Sequence, residues 1–129
     1  MPLVRINLFQ GQQPDFQQAL SDAVHEAMVA TINVPPTDRF QIVTEHAPGQ
    51  LVYAPEYLGI AHQERIIFIQ IFLNTGRTVA MKQALYAGIA QRVGALGFDP
   101  KDLIINLVEV SKEDWSFGNG VAQYVSAAG

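Results

Sequence analysis

Pro2 is the residue of this chain whose type and place could do chemistry without a cofactor. Trimming of Met1, expected ahead of a small second residue, leaves a secondary amine at the chain end. A free α-amino group titrates near about 7.7–8.0, and burial of its charged form lowers that value. Neutral, the amine is a general base, or a nucleophile toward an aldehyde or ketone. Protonated, it is a general acid or a hydrogen-bond donor to a carbonyl. Arg77, in Thr75-Gly76-Arg77-Thr78, is the second signal. It falls at the expected start of a helix, where the macrodipole disfavours a cation, so an anion held there by Arg77 and nearby backbone N–H groups would explain its place. His25 is expected on the solvent side of its helix, and His46 and His62 in loop. Their spacing fits no metal site, so neither a metal nor another cofactor is expected. Gly118-Asn119-Gly120 reads as a hairpin turn, because no helix follows it to cradle a phosphate.

The elements that must hold these residues are legible from periodicity. Residues 3–9 alternate in polarity and predict a strand. Pro14 suits the start of a helix, and Phe16, Leu20, Ala23, Val24, Ala27 and Met28 recur on one helical face over residues 14–32. Asn33, Pro35 and Pro36 end that helix. A second strand is predicted at 39–45, then loop with a short strand at 51–53, then a nearly continuous apolar strand at 65–73 of the kind covered on both faces. A second helix is predicted from Thr78 to Leu96, with Met81, Leu85, Gly88, Ile89, Val93 and Leu96 inward, and a fourth strand at 102–110.

A shift of 64 residues lays the second half on the first without a gap: Pro36 falls on Pro100, Asp38 on Asp102 and Glu45 on Glu109. The chain therefore reads as a pseudo-repeat, 2–46 and 66–110, within one domain spanning 1–129, followed by a hairpin or arm at 111–129. Each half is β-α-β, with parallel strands and a right-handed crossover. The fold class expected is α+β: two tandem β-α-β units forming a four-stranded mixed sheet with both helices on one face. The other face stays apolar and needs a partner.

Composition narrows the function. Hydrophobic residues are 49% of the chain and charged residues 16%, an apolar balance that favours a subunit interface. With 0 cysteines there is no disulfide or thiolate chemistry, which fits a cytoplasmic location. A net charge of −4 without a basic cluster argues against nucleic acid. The polar start and the lack of a long apolar run argue against a signal peptide or membrane span.

Four segments occur together: Met1-Pro2-Leu3, Pro36-Thr37-Asp38-Arg39-Phe40-Gln41, Thr75-Gly76-Arg77-Thr78 and Asp114-Trp115-Ser116-Phe117-Gly118. In this combination the chain resembles the tautomerase superfamily, within it malonate semialdehyde decarboxylase, from Pro2 to about Tyr124. The resemblance implies that Pro2 is the catalytic amine and that Asp38 positions or activates water and tunes the proline. It implies that Arg77 binds a substrate carboxylate and that Trp115 and Phe117 line the pocket. Thr75 stands where some relatives carry a first arginine, so the chain is similar to the branch with a single arginine in this loop. It further implies a homotrimer, with residues 119–127 pairing onto a neighbour.

Each residue also has a structural reading. Asp38 can cap the turn into the second strand, Trp115 and Phe117 can pack a core or interface, and Arg39 and Arg65 can form ion pairs. The function expected is an amino-terminal-proline enzyme acting on a small oxo- or enol-carboxylate, as decarboxylase or keto–enol tautomerase. A non-catalytic trimeric binding or signalling protein of the same fold is the alternative.

Overall fold

The computed structural model describes residues 2–125. Strand β1 (Leu3–Phe9) leads into helix α1 (Phe16–Ile32) and strand β2 (Gln41–His46). Two short strands, β3 (Glu56–Tyr57) and β4 (Ile60–Ala61), precede β5 (Ile67–Asn74), helix α2 (Val79–Ala95) and β6 (Leu103–Val110). The sheet order is β2-β1-β5-β6. Its outer pairs, β1–β2 and β5–β6, are parallel, as the β-α-β reading requires, and the central β1–β5 pair is antiparallel. The mixed four-stranded sheet with two helices is the architecture expected.

Alternation sorts the strand residues. Val4, Ile6 and Leu8 of β1 and Ile67, Ile69, Ile71 and Leu73 of β5 are buried on one face. Against them lie Leu20, Val24 and Met28 of α1 and Leu85, Ile89 and Val93 of α2, in one hydrophobic core. The helix boundaries follow capping chemistry. Thr78 Oγ1 accepts the Met81 N–H at 3.1 Å and starts α2 one residue later than predicted. Asn33 ends α1 in the left-handed region, φ 60°, its N–H bonded to the Met28 carbonyl.

Several expectations are corrected. Burial along β5 alternates strictly, so it is covered on one face of this chain rather than two. The uncovered face is mixed rather than apolar: by register Leu3, Phe68, Phe72, Ile104 and Val108 share it with Arg5, Asn7, Gln70 and Asn106. The strand predicted at 51–53 is absent, and the pairing in this stretch is the β3–β4 hairpin. Leu96 is exposed at the end of α2 rather than inward. Arg39 does form an ion pair, with Asp22 at 2.6 Å, whereas Arg65 lies over the Phe98 ring at 3.6 Å. His25 is buried, 7% exposed, not solvent-facing. After the Gly118–Gly120 turn, residues 121–125 form no strand, and the end of the expected arm, 126–129, lies outside the described residues, as does Met1.

The two helices touch closely at Gly88. A Cβ there would meet Arg92 Nη1 at 3.3 Å, the Thr31 methyl at 3.4 Å and Ala27 Cβ at 3.6 Å. Gly88→Leu is expected to force the helices apart at a cost of about 1–3 kcal/mol, read as a lower urea midpoint, while a surface change such as Gln83→Ala leaves the midpoint nearly unmoved.

Candidate active site

Sheet register decides which chain segments can meet. Val4 is opposite Gln41 in the parallel β1–β2 pair, and its N–H donates to the Phe40 carbonyl at 3.0 Å. The turn carrying Asp38 therefore lies beside the start of β1, where Pro2 is buried. In the antiparallel β1–β5 pair Leu3 is opposite Phe72, so β5 runs out at the same edge. Thr75, Gly76 and Arg77 follow it there. Asn74 is opposite Val110 in the parallel β5–β6 pair, which brings residues 111–117 to that edge as well. Starts of two strands and ends of two others thus converge.

Local bonds hold each residue in place. Asp38 is half-buried, its N–H donating to the Pro35 carbonyl at 2.9 Å to close a tight turn. Thr75 is exposed, and its N–H donates to the Val110 carbonyl at 3.0 Å. Arg77 is half-buried and donates from Nη1 to the Asn74 carbonyl at 3.3 Å and from Nη2 to the Ile32 carbonyl at 3.2 Å. Ile32 is the last residue of α1, so the guanidinium sits at the carbonyl end of that helix, where the macrodipole favours a cation. The carbonyl end of α1 thus offsets the disfavour expected for a cation placed just before α2.

Trp115 Nε1–H donates to Asn74 Oδ1 at 2.7 Å, so Asn74 anchors both the indole and the guanidinium loop. Trp115 and Phe117 stack with ring centroids 5.4 Å apart. With Leu3, Phe40, Asp114 and Ser116 they line an open cleft of about 480 Å³. Asp114 Oδ2 accepts the Ser111 N–H at 2.8 Å and shapes the bend that presents Trp115. Tyr124 meets Phe117 edge-on, centroids 5.2 Å apart.

Tyr124 joins the two charged residues. Burial raises its phenol above the ordinary tyrosine value, the Asp38 charge pushes the same way, and Arg77 pulls it down. Sequence reasoning missed both Tyr124 and Asn74. Neither sits in a motif; a polar residue closing an apolar strand was the only signal for Asn74, and Tyr124 had none.

The geometry defines a class: a β-α-β pair whose sheet edge brings together the segments that carry Pro2, Asp38, Arg77 and an aromatic wall. Two family profiles, each described as "Tautomerase enzyme", match residues 38–118 and 2–61. The chain is 39% identical to the probable tautomerase YusQ of Bacillus subtilis (strain 168), over 97% of this chain and 99% of that one. Among solved structures it is similar to a malonate semialdehyde decarboxylase inhibited by 3-bromopropiolate, with a TM-score of 0.89 and 36% identity over 95% of this chain and 93% of that one. It is also similar to a fused 4-OT described as a symmetric trimer, with a TM-score of 0.77 and 32% identity over 92% and 94% of the two chains. The chain belongs to the tautomerase family, and it is an enzyme of the tautomerase superfamily. The non-catalytic alternative is thereby set aside.

Because Tyr124 shares a field with Asp38 and Arg77, its titration reports on both. Asp38→Asn removes an upward push and is expected to lower the Tyr124 titration point; Arg77→Ala removes the downward pull and raises it. Alkaline NMR titration with ring-labelled tyrosine checks this, and a phenol indifferent to both changes would show that the three groups do not interact.

Proposed function

We propose that the chain catalyses carbon–carbon or carbon–hydrogen bond cleavage next to a carbonyl in a small oxo- or enol-carboxylate, with Pro2 as the reacting amine. One observation carries the reading: strand register brings the segments bearing Pro2, Asp38, Arg77 and the Trp115–Phe117 wall to one sheet edge. The similarity to a malonate semialdehyde decarboxylase supports a short 3-oxo acid as substrate.

For such an acid the bond between the carboxylate and its α-carbon breaks, the electron pair moves toward the carbonyl, and carbon dioxide leaves. The resulting enol is then protonated at carbon to give the aldehyde. A protonated Pro2 assists by donating a hydrogen bond to the carbonyl oxygen. A neutral Pro2 instead attacks the carbonyl carbon and loses water to form an iminium, a stronger electron sink; the enamine left when carbon dioxide departs is protonated at carbon and hydrolysed, which frees Pro2 and the aldehyde. Arg77, with Thr75 beside it, binds the carboxylate and sets the breaking bond perpendicular to the carbonyl plane, and the aromatic wall favours loss of charge. Asp38 positions water and tunes the proline. A second reading, keto–enol tautomerisation by a neutral Pro2 that carries a proton between oxygen and carbon, draws on the likeness to a probable tautomerase.

The mixed open face of the sheet completes the proposal. Its half-buried Phe68, Phe72, Ile104 and Val108 suit contact with further copies, and the trimeric state of a similar structure supports a homotrimer.

The kinetic test uses malonate semialdehyde, phenylenolpyruvate and 2-hydroxymuconate. Wild type is expected to turn over at least one of them, Pro2→Ala and Asp38→Asn to lose about 10²–10⁴-fold in kcat, and Arg77→Ala to raise KM as well. A wild type inert toward all three, or a Pro2→Ala variant with full turnover, would remove the reading.

A further inference from the structure

The turn that carries Asp38 has an anchoring problem. Pro35 and Pro36 have no N–H, so this stretch cannot be tied down through backbone donors at those two positions, only through its carbonyls. One carbonyl is taken locally, since Pro35 accepts the Asp38 N–H at 2.9 Å. The other, that of Pro36, lies 2.8 Å from His25 Nε2 on α1. A carbonyl only accepts, so Nε2 must carry the hydrogen, and a neutral ring then has a bare Nδ1. His25 is 7% exposed, and its Nδ1 is buried with no hydrogen-bond partner. A buried imidazole with one nitrogen unserved is not placed there for solubility or for packing alone, which a leucine would do better.

The rest of the same helix edge grips the residues after Asp38. Arg39 Nη2 donates to Asp22 Oδ1 at 2.6 Å and to Ser21 Oγ at 3.4 Å. Gln41 Nε2 donates to the Ser21 carbonyl at 2.9 Å. The hydrogen bond from Arg39 holds the Asp22 carboxyl below its usual range, with Gln18 adding to it, so the ion pair stands at neutral pH. It is largely solvated, however, and such pairs contribute little. Of these contacts, the one from His25 comes from a buried donor, is short at 2.8 Å and reaches the residue two before Asp38.

We propose that His25 is a positioning residue for Asp38, holding the Pro36 carbonyl through Nε2–H so that the turn presents the carboxylate at the sheet edge next to Pro2. For turnover this rests on the function proposed above; for the hold on the turn it does not. The hold requires a donor at the end of the side chain, not bulk or charge. His25→Gln keeps a donor of similar reach, and His25→Met keeps volume without one.

The test compares these two variants with wild type by amide hydrogen exchange at Asp38 and by steady-state kinetics, with urea midpoints to verify folding. His25→Met is expected to speed exchange of the Asp38 N–H by about tenfold or more, as the turn opens locally. It should also lower kcat by about tenfold with KM little changed, since Arg77 still binds the carboxylate. His25→Gln should restore both toward wild type. A folded His25→Met protein with unchanged Asp38 exchange, or a folded His25→Gln protein as defective as His25→Met, would overturn the proposal. Should His25→Met fail to fold, the imidazole ¹⁵N spectrum of wild type decides: hydrogen on Nε2 supports the hold, and hydrogen on Nδ1 alone overturns it. Faster Asp38 exchange in His25→Met alongside a wild type inert toward every substrate supports the hold and removes the function reading instead.

Discussion

Everything at the candidate site depends on the central antiparallel pairing of β1 with β5. Each β-α-β unit alone has its two strands running the same way, so strand starts lie at one end and strand ends at the other. Joining two such units through an antiparallel pair, with Leu3 opposite Phe72, lays the starts of one unit against the ends of the other. Four segments distant in sequence become neighbours. A two-residue slip along β1–β5 would preserve the buried face and still separate Pro2 from the Arg77 loop. Burial of Val4, Ile6, Leu8, Ile67, Ile69 and Ile71 opposes a one-residue slip, which would turn them to the open face.

The same pseudo-symmetry creates an equivalent place at the opposite edge, and its different use is informative. Asp102 falls where Asp38 falls under the 64-residue shift. It is buried, 3% exposed, and its Oδ1 accepts the Gln63 N–H at 2.6 Å. Ile66, the counterpart of Pro2, is an ordinary buried amide within the chain. In the second half the acid closes a backbone connection, whereas in the first half the matching strand β1 starts at Leu3, directly after Pro2. One position thus closes a backbone connection in one unit and lies beside the start of β1 in the other.

Most of the fold was legible because it rests on periodicity. Alternation in residues 3–9 and the inward stripe on α1 survive into the structure nearly unchanged. The failures share a physical cause: they depend on contacts that no local pattern encodes. His25 reads as solvent-facing on a helical wheel and is buried because the Pro35–Asp38 turn folds over it. The β3–β4 hairpin was hidden because Leu58, not the customary Asn, occupies the left-handed region at φ 51° before Gly59. At the site, Pro2 and Arg77 stood out by residue type and position, Asp38, Thr75, Trp115 and Phe117 came from motif resemblance, and register explains why these segments share an edge. Asn74 and Tyr124 lay outside any motif and became visible only through their hydrogen bond, ring contact and charge interactions.

In the function proposed, a free Pro2 amine at this sheet edge is the reactive group. The most direct measurement is peptide mapping by mass spectrometry after incubation with 3-bromopropiolate, the inhibitor of a similar decarboxylase, on protein whose intact mass shows Met1 removed. A single covalent adduct is expected on the amino-terminal peptide, at Pro2, and none in Pro2→Ala under the same conditions. An adduct elsewhere, or an unmodified Pro2 in protein that is folded and free of Met1, would contradict it.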